Sequence, residues 1–107
     1  MRPGELRHRL VLQEAVRTDD GGGGAVETWQ SAAELWAAVE PLGGDEPVRA
    51  EKLEGNLSHR VTIRWREGVL PSMRFLFGVR ILEIDHVVSP RERRRLLVCR
   101  CVERTEG

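Results

Sequence analysis

The chain has 107 residues, of which 17 are Lys or Arg and 17 are Asp or Glu, so its formal net charge at pH 7 is zero. This length predicts a single domain over residues 1–107, and the balanced charge argues against a protein that coats nucleic acid through a surplus of basic residues. Two cysteines are too few for a secreted disulfide scaffold, and no apolar run is long enough for a membrane span or a secretory signal, so we expect synthesis in the cytoplasm.

The first thirty residues predict a long hairpin. Residues 6–16 alternate apolar and polar positions, with Leu10 and Leu12 on one face, as is typical of a half-buried strand. Four consecutive glycines follow, and their freedom from side chains predicts a long flexible loop over residues 17–25. Residues 25–30 are then expected to form the returning strand.

Two segments in the middle of the chain have helical features. Residues 34–42 contain good helix formers, but Pro41 and the glycines after it would end a helix early. The same residues also fit a strand in which Trp36 and Ala38 alternate with their neighbours. The better helix candidate is residues 45–56, because Asp45 can cap its first turn and Gly55 can end it.

The second half of the chain predicts only strands. Residues 60–66 form the clearest strand, since apolar and basic residues alternate without interruption. Further strands are predicted at residues 73–77, 79–88 and 96–102. Short strands separated by turns predict a mainly β protein, a small barrel or sandwich of about six to eight strands with one short helix. The predicted core consists of Leu10, Leu12, Trp36, Val61, Ile63, Trp65, Ile81, Cys99 and Cys101.

The sequence contains no constellation that predicts catalysis. Cys99 and Cys101 share one strand face, but the second pair of ligands that a zinc site needs is missing, which favours a core role. The remaining titratable candidates are His8, His59, His86 and Asp85. They lack the spacing of a metal or acid–base site, and no serine has the setting of a nucleophile. We therefore expect no cofactor, no metal and no enzymatic activity.

One dense basic run lies at residues 91–95. Its guanidinium groups belong to Arg91, Arg93, Arg94 and Arg95. They could contact an acidic partner or a DNA backbone, whereas the absence of interleaved aromatic residues argues against recognition of single strands by stacking. Together with Arg60, Arg64 and Arg66 they leave a second hypothesis open, a small β-barrel that binds nucleic acid.

Several segments, taken in order along nearly the whole chain, resemble the phage head–tail joining family, also called head closure or stopper proteins. The resemblance is carried by RHRLVLQ at 7–13, DGG at 20–22 with TW at 28–29, LWAAVEPLGG at 35–44, HRVTIRWR at 59–66, PSMR at 71–74, GVRILEI at 78–84 and the basic run before the last strand. It implies a small β-barrel with one helix and a long flexible hairpin loop. It also supports a strand, not a helix, at residues 34–42.

The resemblance further implies a structural role in the virion neck of tailed phages, prophages and gene transfer agents. Copies made in the bacterial cytoplasm would form a ring between the portal–adaptor complex and the tail, next to a tail terminator or tail tube protein and away from any membrane. The ring would continue the channel through which double-stranded DNA passes without sequence-specific contacts, and in stopper members a loop in the lumen retains the genome. A head–tail adaptor or tail terminator of the same neck is the alternative. The candidate assembly or lumen loop consists of Asp19, Asp20, Gly21, Gly22, Gly23 and Gly24.

Overall fold

The structure, a computed structural model, describes residues 6–43, 46–89 and 95–104. These residues form six β-strands and no helix: β1 His8–Asp19, β2 Ala25–Pro41, β3 His59–Arg64, β4 Arg74–Phe77, β5 Arg80–Val88 and β6 Leu96–Arg104. Neighbouring strands are antiparallel in the order β1-β2-β3-β6-β5-β4, and the pairing of β1 with β4 closes the sheet into a barrel. The prediction of a mainly β fold, a small barrel or sandwich of about six to eight strands, is confirmed.

Alternate side chains of the six strands fill the barrel. On β3, Val61 and Ile63 are fully buried in the core, Thr62 between them is also buried at 2% exposure, and Arg64 is exposed. The core cluster comprises Leu10, Leu12, Ala37, Val61, Ile63, Val69, Met73, Phe75, Leu82, Ile84, Leu97, Cys99 and Cys101. Burial of each large apolar side chain contributes roughly 1.5–3 kcal/mol to stability, so this packed interior is the main source of stability.

One residue assigned to the core from the sequence lies outside it. Trp36 is 52% exposed, so its prediction as a core residue is wrong. Its neighbour Ala37 points into the barrel, and the alternation of the strand therefore turns Trp36 outward, where Arg9 lies 5.5 Å from its ring centroid. Trp65 is partly buried against the core cluster, and Ile81 is buried without belonging to that cluster.

The helix predicted at residues 45–56 is wrong over its described part, residues 46–56. That segment is irregular and is closed by a bridge between Arg49 and Asn56. Consecutive main-chain N–H groups of residues 51–53 donate to the carboxylate of Asp85, so they are not available for the ladder of a helix. Tertiary hydrogen bonds therefore override the local helix signals.

The two strands of the predicted hairpin are longer than the sequence suggested. β2 runs without interruption through residues 25–41, which confirms the strand interpretation of residues 34–41. The connecting loop shrinks to residues 20–24, against the predicted 17–25. A β-bulge between Leu12 and Gln13 shifts the register where the hairpin leaves the barrel.

Candidate functional site

β1 and β2 extend beyond the barrel as a two-stranded ribbon. β1 pairs with β4 only as far as Gln13, and β2 pairs with β3 only from Ala37 onward. Residues 14–30, called the ribbon below, therefore pair only with each other, beginning with Glu14 opposite Gln30. Six residues per arm at ~3.3 Å each give a projection of about 20 Å, in a molecule of 49 × 31 × 25 Å.

The ribbon has no core of its own. Every residue from 17 to 28 is exposed, and Val26 is 52% exposed. A two-stranded hairpin with so little buried apolar area is only marginally stable in water by itself. The ribbon is therefore the part of the described chain that gains most from contact with a partner.

Two aspartates organise the tip of the ribbon. Asp19 Oδ1 accepts a hydrogen bond from the main-chain N–H of Gly21 at 2.9 Å, and Asp20 Oδ1 accepts from Gly22 at 2.8 Å and Gly24 at 3.1 Å. Gly21 has a φ of 83°, a left-handed conformation that favours glycine. A Cβ on Gly24 would lie 2.8 Å from Asp20 Oδ2. The glycines therefore serve turn geometry, a role that the sequence analysis did not assign to them.

The base of the ribbon is fastened to the barrel through Arg74 on β4. Its Nε donates to Gln13 Oε1 at 2.8 Å, and its guanidinium lies 4.0 Å from the ring centroid of Trp29. Such a cation–π contact contributes about 0.5–1 kcal/mol at an exposed site. Gln30 Nε2 also donates to Glu14 Oε1 at 2.8 Å across the first ribbon pair. These contacts fix the direction in which the ribbon leaves the barrel.

Asp85 anchors the segment 46–56 to the outside of the barrel. Its carboxylate is fully buried at a bulge of β5 and accepts main-chain N–H groups of Glu51, Lys52 and Leu53 at 2.7–2.8 Å. His86 Nδ1 lies 2.8 Å from Asp85 Oδ2. Burial alone would raise the pKa of Asp85, but these hydrogen bonds together hold it well below its ordinary value. Asp85 therefore stays ionised and keeps the segment in place.

The histidines do not gather into one site. Only His86 lies near Asp85 and Glu51, with ligand atoms within 4.8 Å of one another. Both oxygens of Asp85 already accept two hydrogen bonds each, which explains the cluster as an anchor for main-chain groups. His8 packs against Phe77, with ring centroids 4.9 Å apart.

His59 belongs to a polar network at the end of the barrel away from the ribbon. Arg80 donates to both carboxylate oxygens of Glu103, at 2.9 and 3.0 Å, and its Nη2 lies 3.1 Å from His59 Nε2. His59 Nδ1 lies 2.9 Å from Ser58 Oγ, which accepts the main-chain N–H of Glu103 at 2.7 Å. The pKa of His59 is lowered mainly by burial and further by Arg80, against the raising effect of Glu103. The network closes this end of the barrel with His59 neutral.

The two cysteines lie in the barrel core. Both are free and fully buried, and Cys101 Sγ lies 3.6 Å from the carbonyl oxygen of Cys99. Burial raises the pKa of the Cys99 thiol to about 12 and that of Cys101 well above its ordinary value. Neither thiol is therefore ionised near neutral pH, and neither has the thiolate that nucleophilic or metal chemistry requires.

Only part of the predicted basic contact lies within the described residues. Arg91, Arg93 and Arg94 lie outside the described residues. Arg95 is exposed, and its carbonyl oxygen accepts the main-chain N–H of Trp65 at 3.0 Å.

No structural role was predicted for Asp85 from the sequence, although the pattern of the surrounding strand marks it. Apolar and polar residues alternate poorly from Ile81 to Val88, and the strand pattern breaks at the charged residue Asp85. A buried acid at a pattern break needs donors from elsewhere in the fold, and the N–H groups of residues 51–53 supply them.

Comparison with known proteins identifies relatives of the whole chain. The sequence model of a family described as "Phage head completion protein" matches residues 1–104. A chain in a solved "virion of native gene transfer agent (GTA) particle" is 32% identical with a TM-score of 0.68, and the match covers 90% of this chain and 92% of that one. Protein SF1141 from Shigella flexneri 2a, solved in solution, is 27% identical with a TM-score of 0.69, over 94% of this chain and 96% of that one. No curated protein matches significantly.

Within residues 6–43, 46–89 and 95–104, no helix has the length and apolarity needed to cross a bilayer.

Proposed function

The chain belongs to the phage head completion protein family and is a structural protein of the virion at the head–tail neck, and from this premise we propose that it is the stopper, or head closure, subunit. In this role, identical copies form a ring between the portal–adaptor complex and the tail. The ring continues the DNA channel and gates it. The protein acts through assembly and not through catalysis.

The observation that carries this proposal is an exposed ribbon on a filled barrel. The barrel interior is occupied by packed side chains, so a channel for DNA must lie between copies and not inside one of them. A ring of copies around a common axis provides such a channel. The ribbon, which is marginally stable alone, gains its support from the neighbours that a ring supplies.

The tip of the ribbon is the proposed gating element. Asp19 and Asp20 are exposed near the far end of the ribbon, so a ribbon directed toward the axis would carry them into the lumen. Their carboxylates repel DNA phosphates, which lets the double helix pass without adhering to the ring. The residues proposed for this assembly and lumen role remain Asp19, Asp20, Gly21, Gly22, Gly23 and Gly24.

The remaining partners follow from the position of such a ring. One face meets the portal or adaptor protein, and the opposite face meets the tail terminator or tail tube protein. Arg91, Arg93, Arg94 and Arg95 precede β6 and are the proposed contact with an acidic neighbour or with the backbone of the passing DNA. An adaptor or a terminator of the same neck would share the barrel and the ribbon but would occupy a different level.

Deletion of the gene tests the stopper role. Electron microscopy of the resulting particles should show capsids that have lost their DNA and carry no tails, because an unclosed portal channel lets the genome escape. Supply of the protein from a plasmid should restore full, tailed particles. Full capsids that only lack tails would instead place the protein at the level of a terminator, and normal particles would exclude a role in the neck.

A further inference from the structure

The ribbon has two strand edges without partners. β1 pairs with β4 only as far as Gln13, so its outer edge is free over residues 14–19, and β2 pairs with β3 only from Ala37 onward, so its outer edge is free over the ribbon residues 25–30. Every second residue of a strand directs its N–H and C=O groups toward a given side, so each edge presents about three donors and about three acceptors. Within the described residues, no other strand or loop backbone bonds to either edge.

The two edges match in length and direction. Each has six residues, and the register places them at the same height, from Glu14 opposite Gln30 to Asp19 opposite Ala25. β1 and β2 are antiparallel to each other. A rotation about a ring axis preserves both height and direction, so β1 of one copy would lie antiparallel beside β2 of the next. Antiparallel pairing is the more stable of the two kinds.

The residues of both edges favour strand pairing. Residues 14–19 and 25–30 contain neither Pro nor Lys, two residue types with which natural proteins keep edge strands from pairing. One side of the ribbon carries the β-branched residues Val16, Thr18, Val26 and Thr28, which suit a strand with neighbours on both sides.

The charges of the two edges are complementary. Arg17 and Glu27 are exposed and directly opposite each other, yet neither forms an ion pair within the described part of the chain. In a row of ribbons at equal height, each Arg17 would lie between Glu27 of its own copy and Glu27 of the next, and opposite charges in such positions stabilise a sheet. The acids Glu14 and Asp19 would face Gln30 and Ala25, so no two like charges would lie opposite each other.

We propose that the β1 edge of the ribbon of one copy pairs with the β2 edge of the ribbon of the next copy, an inference that rests on the proposed ring. The ribbons then form one continuous antiparallel sheet around the channel. Because the two edges differ, the contact is head-to-tail and can close, and closure leaves no edge free. Each two-stranded ribbon becomes part of a sheet with enough strands to be stable. At two strands a copy, about eight copies reach the strand number at which closed sheets leave an aqueous channel.

Cysteine cross-linking in assembled particles tests this pairing. A strain without the gene receives two chains at once, one carrying Val16→Cys and the other Val26→Cys, Thr28→Cys or Gln30→Cys. The three combinations cover the register at equal height and shifts of two residues in either direction. No chain carries both new cysteines, and Cys99 and Cys101 are buried, so a covalent dimer joins the new cysteines of two copies.

With random mixing, one junction in four brings the two new cysteines together, so at most half of the chains can form dimers. For one of the three combinations we expect dimers to contain roughly a third of the chains on a non-reducing gel. Each single variant alone should give none, because identical positions in neighbouring copies lie two strands, about 10 Å, apart. The matched control replaces Val16→Cys by Ala15→Cys, one position away on the other side of the ribbon, and should give less than a tenth of the dimers.

Hydrogen exchange of the wild-type protein gives a second measurement that needs no variant. Main-chain N–H groups of residues 14–19 and 25–30 that point to the free edges should exchange at least tenfold more slowly in particles than in the purified free protein. This measurement alone decides wherever a cysteine variant does not complement the deletion.

Four results would overturn the edge pairing. Dimers from a single variant alone would show that like edges pair. Complete particles without dimers from any combination, or without slowed exchange, would leave the ring in place and remove this contact. Slowed exchange without dimers would assign both edges to another virion protein. Normal particles from the deletion strain itself would remove both the proposed function and this inference.

Discussion

Asp85 shows how one buried carboxylate can determine the path of a distant segment. Three consecutive N–H groups and one histidine point at its two oxygens, in a position that is fully buried. A neutral residue of the same shape would leave some of these donors facing an amide NH2 group. The charge of Asp85, and not its size, is therefore the property that the fold uses.

The variant Asp85→Asn should lower the free energy of unfolding by about 2–4 kcal/mol, because hydrogen bonds to a charged group contribute about 1.5–3 kcal/mol each and not all of them are lost. Urea denaturation followed by tryptophan fluorescence measures the change. The control Glu51→Gln keeps the main-chain N–H that binds Asp85 and should remain within about 0.5 kcal/mol of the wild type. Equal stability of the wild type and Asp85→Asn would show that the anchor does not contribute.

His59 should make the stability of the barrel dependent on pH. Its pKa is lowered from the ordinary 6.5, mainly by burial, so the unfolded chain binds a proton more readily than the folded one. The stabilisation is therefore complete above 6.5 and is lost as pH falls from 6.5 through the lowered value.

Thermal melting between about pH 7.5 and 5 tests this expectation. The variant His59→Gln can still accept a hydrogen bond from Arg80 but cannot titrate, so its melting temperature should fall less over this range than that of the wild type. Parallel curves for the two proteins would assign the pH dependence to other groups.

At the scale of elements, the ribbon tip can be separated from the rest of the hairpin. Replacement of residues 20–24 by Asn-Gly gives a two-residue turn that suits the twist of antiparallel strands. Because the tip contacts no core residue, the melting temperature should change by less than about 2 °C for such a surface change, whereas DNA retention in particles should be lost. A large fall in melting temperature would show that the tip is packed in the monomer, and normal DNA retention would remove it from the gate.

The strands were more predictable than the other elements because alternation depends only on which side of a strand is buried. Residues 60–64 alternate cleanly and form β3. The helix predicted at residues 45–56 does not form over residues 46–56 because the N–H groups of residues 51–53 bond to Asp85. Asp85 is more than thirty positions away, and local helix propensity carries no information about such a distant partner. The prediction that Trp36 lies in the core was wrong because alternation alone does not show which of two neighbouring residues points inward. The small Ala37 takes the core position.

The full length of β2 could also not be predicted from the sequence. Residues 30–34 are mostly polar or small, without an apolar side to mark them as a strand, and they are strand only because β1 pairs with them. The functional assignment came from ordered resemblance over the whole chain, since the candidate site has no catalytic motif. Local patterns of apolar and polar residues identify strand faces that are buried within the chain, but they do not identify surfaces that bind other molecules.

At the scale of the whole molecule, barrel closure concentrates the available backbone edges in one place. In the closed order every strand of the barrel has a neighbour on both sides, while both outer edges of the ribbon remain unpaired among the described residues. Exposed strand edges are where other chains add most readily. The barrel therefore offers other chains few unpaired backbone groups, whereas the ribbon offers both of its edges.

The barrel closes through a short pairing of β1 with β4. Only three residue pairs join β1 to β4, Val11 with Leu76, Leu12 with Phe75 and Gln13 with Arg74, so this seam is the shortest strand pairing in the barrel. Arg74 belongs to the seam and also stacks on Trp29 in the ribbon. If neighbouring copies hold the ribbon, as the proposed ring requires, the same contacts also support the pairing of β1 with β4 through Arg74, so ring assembly and barrel closure would stabilise each other.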